Sequence, residues 1–150
     1  MTQRTATQAN SRKRRAAVTR KDPTVQDFLD RFSRSLTAGD GRAVASMWET
    51  PAFVLGDRHA RSIGSAQEIE QFFSGAKEHY NAQGISDTRA EIVKLDWVTD
   101  RIAIVEVRWP YLDQHGREAG EETSTYILTR DNTSNLRLRI AVMHGVRTSH

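Results

Sequence analysis

The polar residues whose type and spacing could do chemistry sit in or beside stretches that read as strands. Asp57 and His59 stand two apart in "AFVLGDRHA". If a strand continues through them they share a face, and a carboxylate beside an imidazole orients it and raises its basicity. Such a pair can take a proton from carbon next to a carbonyl or a leaving group. Three readings stay open: an exposed polar loop, a ligand contact at a pocket mouth, or a catalytic pair. Glu106 and Arg108 in "RIAIVEVRWPY" alternate with Ala103, Val105, Val107 and Trp109, and share their own face with Ile102 and Ile104. Charges midway along such a strand need partners if buried. They form either a polar pocket floor or a solvated or interface-side pair. Tyr126 shares a parity with Glu122 and Ser124; its hydroxyl can enter a cavity, or its ring can serve a core or an interface. His144 has the parity of Leu138, Ile140 and Val142, which suits a structural histidine or a base.

Other chemistries find no support. The chain has no cysteine, which excludes disulfides, thiolate catalysis and cysteine-ligated metal centres. The five histidines, at 59, 79, 115, 144 and 150, include no pair with helical zinc-site spacing. No phosphate-cradling glycine loop and no nucleophile elbow occur, so no cofactor and no metal are expected.

Positioning these side chains falls to a helical first half and a strand-rich second half. Val25, Phe28, Leu29, Phe32 and Leu36 recur at helical spacing and predict a helix over Thr24–Leu36, with Thr24 and Asp27 as a capping box. Gly39 suits a left-handed helix end, and Asp40 suits the cap of a short second helix that buries Ala43, Val44, Met47 and Trp48 and stops at Pro51. A short strand, "AFVLG", follows. Ser65 and Glu68 open a third helix along Ile69, Phe72, Phe73, Ala76 and Tyr80. Strands are then expected near Arg89–Leu95, Arg101–Tyr111, Glu121–Arg130 and Leu136–His144. Little helix lies between them, which argues for an antiparallel sheet with three helices on one side, an α+β domain.

The charge is split along the chain. Residues 1–21 carry seven basic side chains and no acid, whereas the remainder holds 15 basic and 19 acidic residues. The overall +3 therefore reports a basic tail on an acidic body. The tail is polar and free of aromatics, which predicts a disordered leader over 1–21 and a domain over 22–150. The Arg12–Arg15 run suits a solvated leader, nonspecific polyanion contact or a targeting address. No run is apolar enough to span a membrane, so no membrane insertion is expected, and the absence of cysteine fits a cytoplasmic location.

The ordered combination of "FLDRFSRSLTAGDGRAVASMW", "PAFVLG" and "IGSAQEIEQFFSGA" resembles the nuclear transport factor 2-like superfamily, the SnoaL-like or ketosteroid-isomerase-like group. The resemblance covers about residues 24–145. It implies a cone-shaped, cystatin-like fold in which a curved antiparallel sheet wraps around three N-terminal helices and encloses a pocket. It implies a homodimer through the outer sheet face. The ketosteroid isomerases use a tyrosine and two acids, and the resemblance places those positions at Phe32, Gly56 and near Thr125. None of the three is kept. The family hosts many activities on one shape, so the expectation is a domain that binds a small, mainly apolar molecule. The pocket would be lined by Phe28, Phe32, Trp48, Phe53, Phe72 and Trp97 or Trp109, with Glu106, Arg108, Tyr126 and His144 as its polar candidates. Two alternatives remain: a cofactor-free lyase or isomerase relying on Asp57 and His59, and a protein-interaction adaptor.

Overall fold

The computed structural model describes residues 23–82 and 84–148. The basic tail and the contacts proposed for it lie outside the described residues.

Helix α1, Pro23–Ala38, buries the stripe that its spacing predicts: Val25, Phe28, Leu29, Phe32 and Leu36. Its polar flank ties it to the chain between helices and sheet. Gln26 donates to the Ala90 carbonyl at 3.0 Å, and Ser33 to the Thr88 carbonyl at 3.0 Å. Gly39 ends the helix with φ +71°, and a Cβ there would lie 2.9 Å from Lys77 Cβ, so the turn needs glycine for conformation and for space. Helix α2, Gly41–Ser46, is capped by Asp40, which accepts from the Ala43 amide at 3.0 Å. It stops before Pro51. The Met47 amide closes onto the Val44 carbonyl and the chain turns into strand β1, Trp48–Gly56. Trp48 thus opens a strand instead of closing a helix, because its register opposite Leu138 gives its backbone a ladder to join.

Asp57 and Arg58 form the turn into strand β2, His59–Ile63. Helix α3, Ala66–Phe73, begins at Ser65, whose hydroxyl accepts from the Glu68 amide at 3.2 Å. The expected long third helix breaks after Phe73, at Ser74 and Gly75, and helix α4, Ala76–Ala82, follows. Glycine is a poor helix former, and the described residues hold four helices where three were expected. The remaining strands are β3 (Asp87–Thr88), β4 (Glu91–Thr99), β5 (Ile102–Leu112), β6 (Glu118–Arg130) and β7 (Leu136–Thr148).

The strands form one sheet in the order β2-β1-β7-β6-β5, with β3 and β4 both pairing β5. Neighbours run antiparallel except β1 and β7, which are parallel. The sheet is therefore mixed, not wholly antiparallel. The parallel pair joins distant parts of the chain, as parallel pairing requires a long crossover. The inner face presents Ala103, Val105, Val107, Trp109, Tyr126, Leu128 and Leu138 to the helices, giving the α+β architecture read from the sequence.

Two irregularities set which side chains on β7 face inward. Leu128 pairs with Leu138 but Ile127 with Ile140, so Arg139 is an extra residue. Beyond it Ala141 and Met143 face inward, and Ile140, Val142 and His144 turn outward. A second shift follows between Met143 and Val146, where Gly145 adopts φ +102°. On the outer face, cross-strand pairs bring Phe53, Ile140, Ile127 and Ile104 into one apolar row across four strands. Phe53 and Ile104 are exposed at 39% and 37%.

The β6–β7 turn is organised by Asp131. Its carboxylate accepts from the Thr133 hydroxyl at 2.6 Å, from the Thr133 and Asn135 amides at 2.8 and 3.0 Å, and from Arg137 at 3.0 Å. These bonds, the Thr133 hydroxyl foremost, lower its pKa from 3.8 to about 2. The native state thus binds fewer protons than the unfolded chain between those values. The turn's contribution is complete above pH 3.8 and is lost as pH falls through about 2. Asp131→Asn should lower the thermal midpoint at neutral pH, with the gap from the parent chain closing on acidification. A gap that stays constant from neutral pH down to pH 2 would rule out ionisation as its source.

Candidate functional site

Between the inner sheet face and the helices lies an open-mouthed cavity of about 310 Å³. Its apolar wall comes from α1 (Phe32, Leu36), β1 (Trp48, Val54), α3 (Phe72, Phe73) and β7 (Ala141, Met143). Strands β5 and β6 supply Trp109, Tyr111, Glu122 and Tyr126, and His59 and Thr88 complete the lining. Half of the described lining residues are aromatic. Phe32 sits at the centre of the ring cluster, with centroids 6.4 Å from Phe73 and 6.2 Å from both Trp109 and Tyr126. Edge-on and tilted packing of this kind suits the ring quadrupoles.

Two hydrogen-bonded pairs place the polar groups. The Trp109 indole N–H donates to the Tyr126 hydroxyl at 2.9 Å inside the core, which fixes both rings. The Tyr111 hydroxyl donates to Glu122 Oε2 at 2.5 Å. Glu122 stands opposite Trp109 in the β5–β6 register, on the inward parity of Ser124 and Tyr126. Burial raises its pKa, and the Tyr111 bond only partly offsets that. A carboxyl so placed holds its proton more readily than an exposed one, and it can give that proton up or pair with a positive ligand. The Trp48 indole N–H is buried with no acceptor among the described residues. A donor left so typically costs about 1–3 kcal/mol.

Of the residues singled out from the sequence, Phe32, Trp48, Phe72, Trp109, Tyr126 and His59 line the cavity. Phe28 is buried deeper, in the core beside it, and is not part of its wall. Trp97 packs at the margin of the core with the Arg130 guanidinium 4.7 Å from its ring centroid. Phe53 faces outward. Glu106 and Arg108 lie on the outer face as well, since Ala103, Val105, Val107 and Trp109 take the core side of β5. Arg108 bonds Glu91 at 2.9 Å, Glu118 at 2.7 Å and Glu121, and its pKa is raised, chiefly by the Glu118 bond. His144 is turned out by the β7 bulge and meets Thr125 Oγ1 through Nε2 at 2.8 Å. Thr125 therefore faces away from the cavity too.

Asp57 occupies the exposed turn of the β1–β2 hairpin, and no hydrogen bond or ion pair joins it to His59 among the described residues. His59 crosses the hairpin onto Gly56, where a Cβ would lie 2.6 Å from its Cε1. The glycine makes room for the ring, an aromatic covering a strand glycine, and this holds His59 in the cavity lining. Sequence reasoning did not select Glu122 or Tyr111. Their signal was parity: Glu122 lies four residues before Tyr126 and Tyr111 two after Trp109, so both follow once those two are known to point inward. No cluster of three or more metal-ligating side chains occurs among the described residues, and none of their helices is long and apolar enough to cross a membrane.

A family model described as NTF2-like protein (DUF6841) matches residues 21–146. No curated protein matches the chain at a significant level. Among solved structures, an NTF-2 like protein of unknown function from Shewanella oneidensis MR-1 superposes with TM-score 0.63 at 11% identity, over 81% of this chain and 97% of the other. A cystatin-like domain of unknown function from Nostoc punctiforme gives 0.60 at 14% identity, over 84% and 76%. A ketosteroid isomerase-like protein from Erwinia carotovora atroseptica SCRI1043 gives 0.60 at 12% identity, over 81% and 92%. Likeness at such identities speaks for the fold alone.

Proposed function

We propose, given that this chain belongs to the NTF2-like family (DUF6841), that its cone cavity binds a small, mainly apolar organic molecule. The observation that carries this reading is the cavity itself: about 310 Å³, open at one end and walled by aromatic and aliphatic side chains, with few polar groups. Concave, mostly apolar sites of this size are typical of small-molecule binding. Trp48 and Trp109 both stand in the wall, so occupancy should alter their fluorescence. Titration with the neutral apolar probe N-phenyl-1-naphthylamine should give saturable binding. Ala141→Phe, which fills the cavity from β7, should abolish it while the far-ultraviolet circular dichroism stays unchanged. Nonsaturable binding, or equal binding to the filled variant, would reject the cavity as the site.

The same reading includes a homodimer through the outer sheet face. It is supported by the row of Phe53, Ile140, Ile127 and Ile104, four apolar side chains in adjacent cross-strand positions. Contiguous, partly exposed apolar surface of this kind suits a contact site, and a two-fold pairing would set the row against its own copy.

A further inference from the structure

We infer that the cavity selects a small organic cation, an alkyl- or aryl-alkylammonium, which it holds between its aromatic wall and the Glu122 carboxylate. This rests on the apolar-cavity reading above and narrows it to one class of ligand. The composition of the lining carries the argument. Half of its described residues are aromatic, and ring faces attract positive charge through their quadrupole. Among the described residues Glu122 is the one carboxylate in the lining, and neither lysine nor arginine occurs there.

A neutral apolar ligand would gain nothing from a carboxylate and would bury it further at a cost. An anion would meet both the carboxylate and the ring faces unfavourably. An ammonium carrying apolar substituents suits both elements: its substituents fill apolar space while its charge meets the rings and the carboxylate. Tyr111 holds Oε2 at 2.5 Å, which orients the carboxyl group, while Oε1 has no hydrogen-bond partner among the described residues. Burial pushes the Glu122 pKa up, and an adjacent cation would draw it back towards the ionised form. The protein already makes one such contact beside the cavity, with the Arg61 guanidinium 5.4 Å from the ring centroid of Phe72, itself a lining residue.

The test compares phenyltrimethylammonium with tert-butylbenzene, its neutral isostere, by chemical-shift titration of the full chain. The cation should bind about tenfold tighter or better. Glu122→Gln should weaken the cation by about tenfold and should not weaken tert-butylbenzene, which no longer buries a charged group, so that the neutral ligand also reports the fold of the variant. Equal or tighter binding of tert-butylbenzene by the parent chain would overturn the cation inference and leave the apolar cavity standing. A cation preference that survives Glu122→Gln would overturn the role given to the carboxylate. Binding of neither ligand would overturn this inference, and failure of N-phenyl-1-naphthylamine as well would overturn the cavity reading beneath it.

Discussion

Phe28→Ala is expected to lower the unfolding free energy by about 3–5 kcal/mol, and Phe32→Ala by only about 2–3 kcal/mol. Both phenylalanines sit on the buried stripe of α1, exposed at 1% and 3%, so burial alone does not separate them. What separates them is the far side of each ring. Phe28 packs in the core cluster and borders only a separate, polar pocket beside Ser46 and Leu136, so truncation there removes packed core contacts and leaves a void that must stay empty or collapse with strain. Phe32 faces the cavity, so part of its surface has no packing partner to lose, and truncation enlarges a space that already opens to solvent. Paired urea unfolding curves with matched slopes would measure the difference. Equal losses would show that Phe32 does not form cavity wall, and a loss below ~1 kcal/mol at Phe28 would contradict the assigned helix face.

Ile104→Lys should convert the proposed dimer to monomer while changing monomer stability little. Ile104 is 37% exposed in the single chain, so a lysine there can reach water until a second copy covers it. In a two-fold interface two unpaired ammonium groups would be desolvated together. The dimer dissociation constant should rise a hundredfold or more, about 2.8 kcal/mol. Light scattering over a concentration series should show the parent chain at twice 17.0 kDa and the variant at 17.0 kDa. A parent mass of 17.0 kDa throughout would reject the dimer. A variant that still dimerises would move the interface away from the apolar row.

What the chain determined by itself was local. The α1 stripe follows from apolar spacing that any helix would turn to one side. The glycine at 39 and the caps at Asp40 and Ser65 depend on backbone within a few residues, and each does in the structure what its residue type allows. The four long strands and their turns were legible for the same reason: alternation and turn chemistry act over short range. Only the tertiary structure decided which parity faces the helices. Alternation separates Glu106 and Arg108 from Val105 and Val107, but sheet packing sent the charged pair outward and Glu122 with Tyr126 inward. His144 shows the limit most clearly. It shares its parity with Leu138, yet the extra residue at Arg139 inverts the strand between them and leaves Leu138 in the core and His144 outside. The cavity likewise joins residues from Phe32 to Met143, and the Glu122 carboxyl becomes chemically distinctive only when distant strands and helices close around it and strip part of its water.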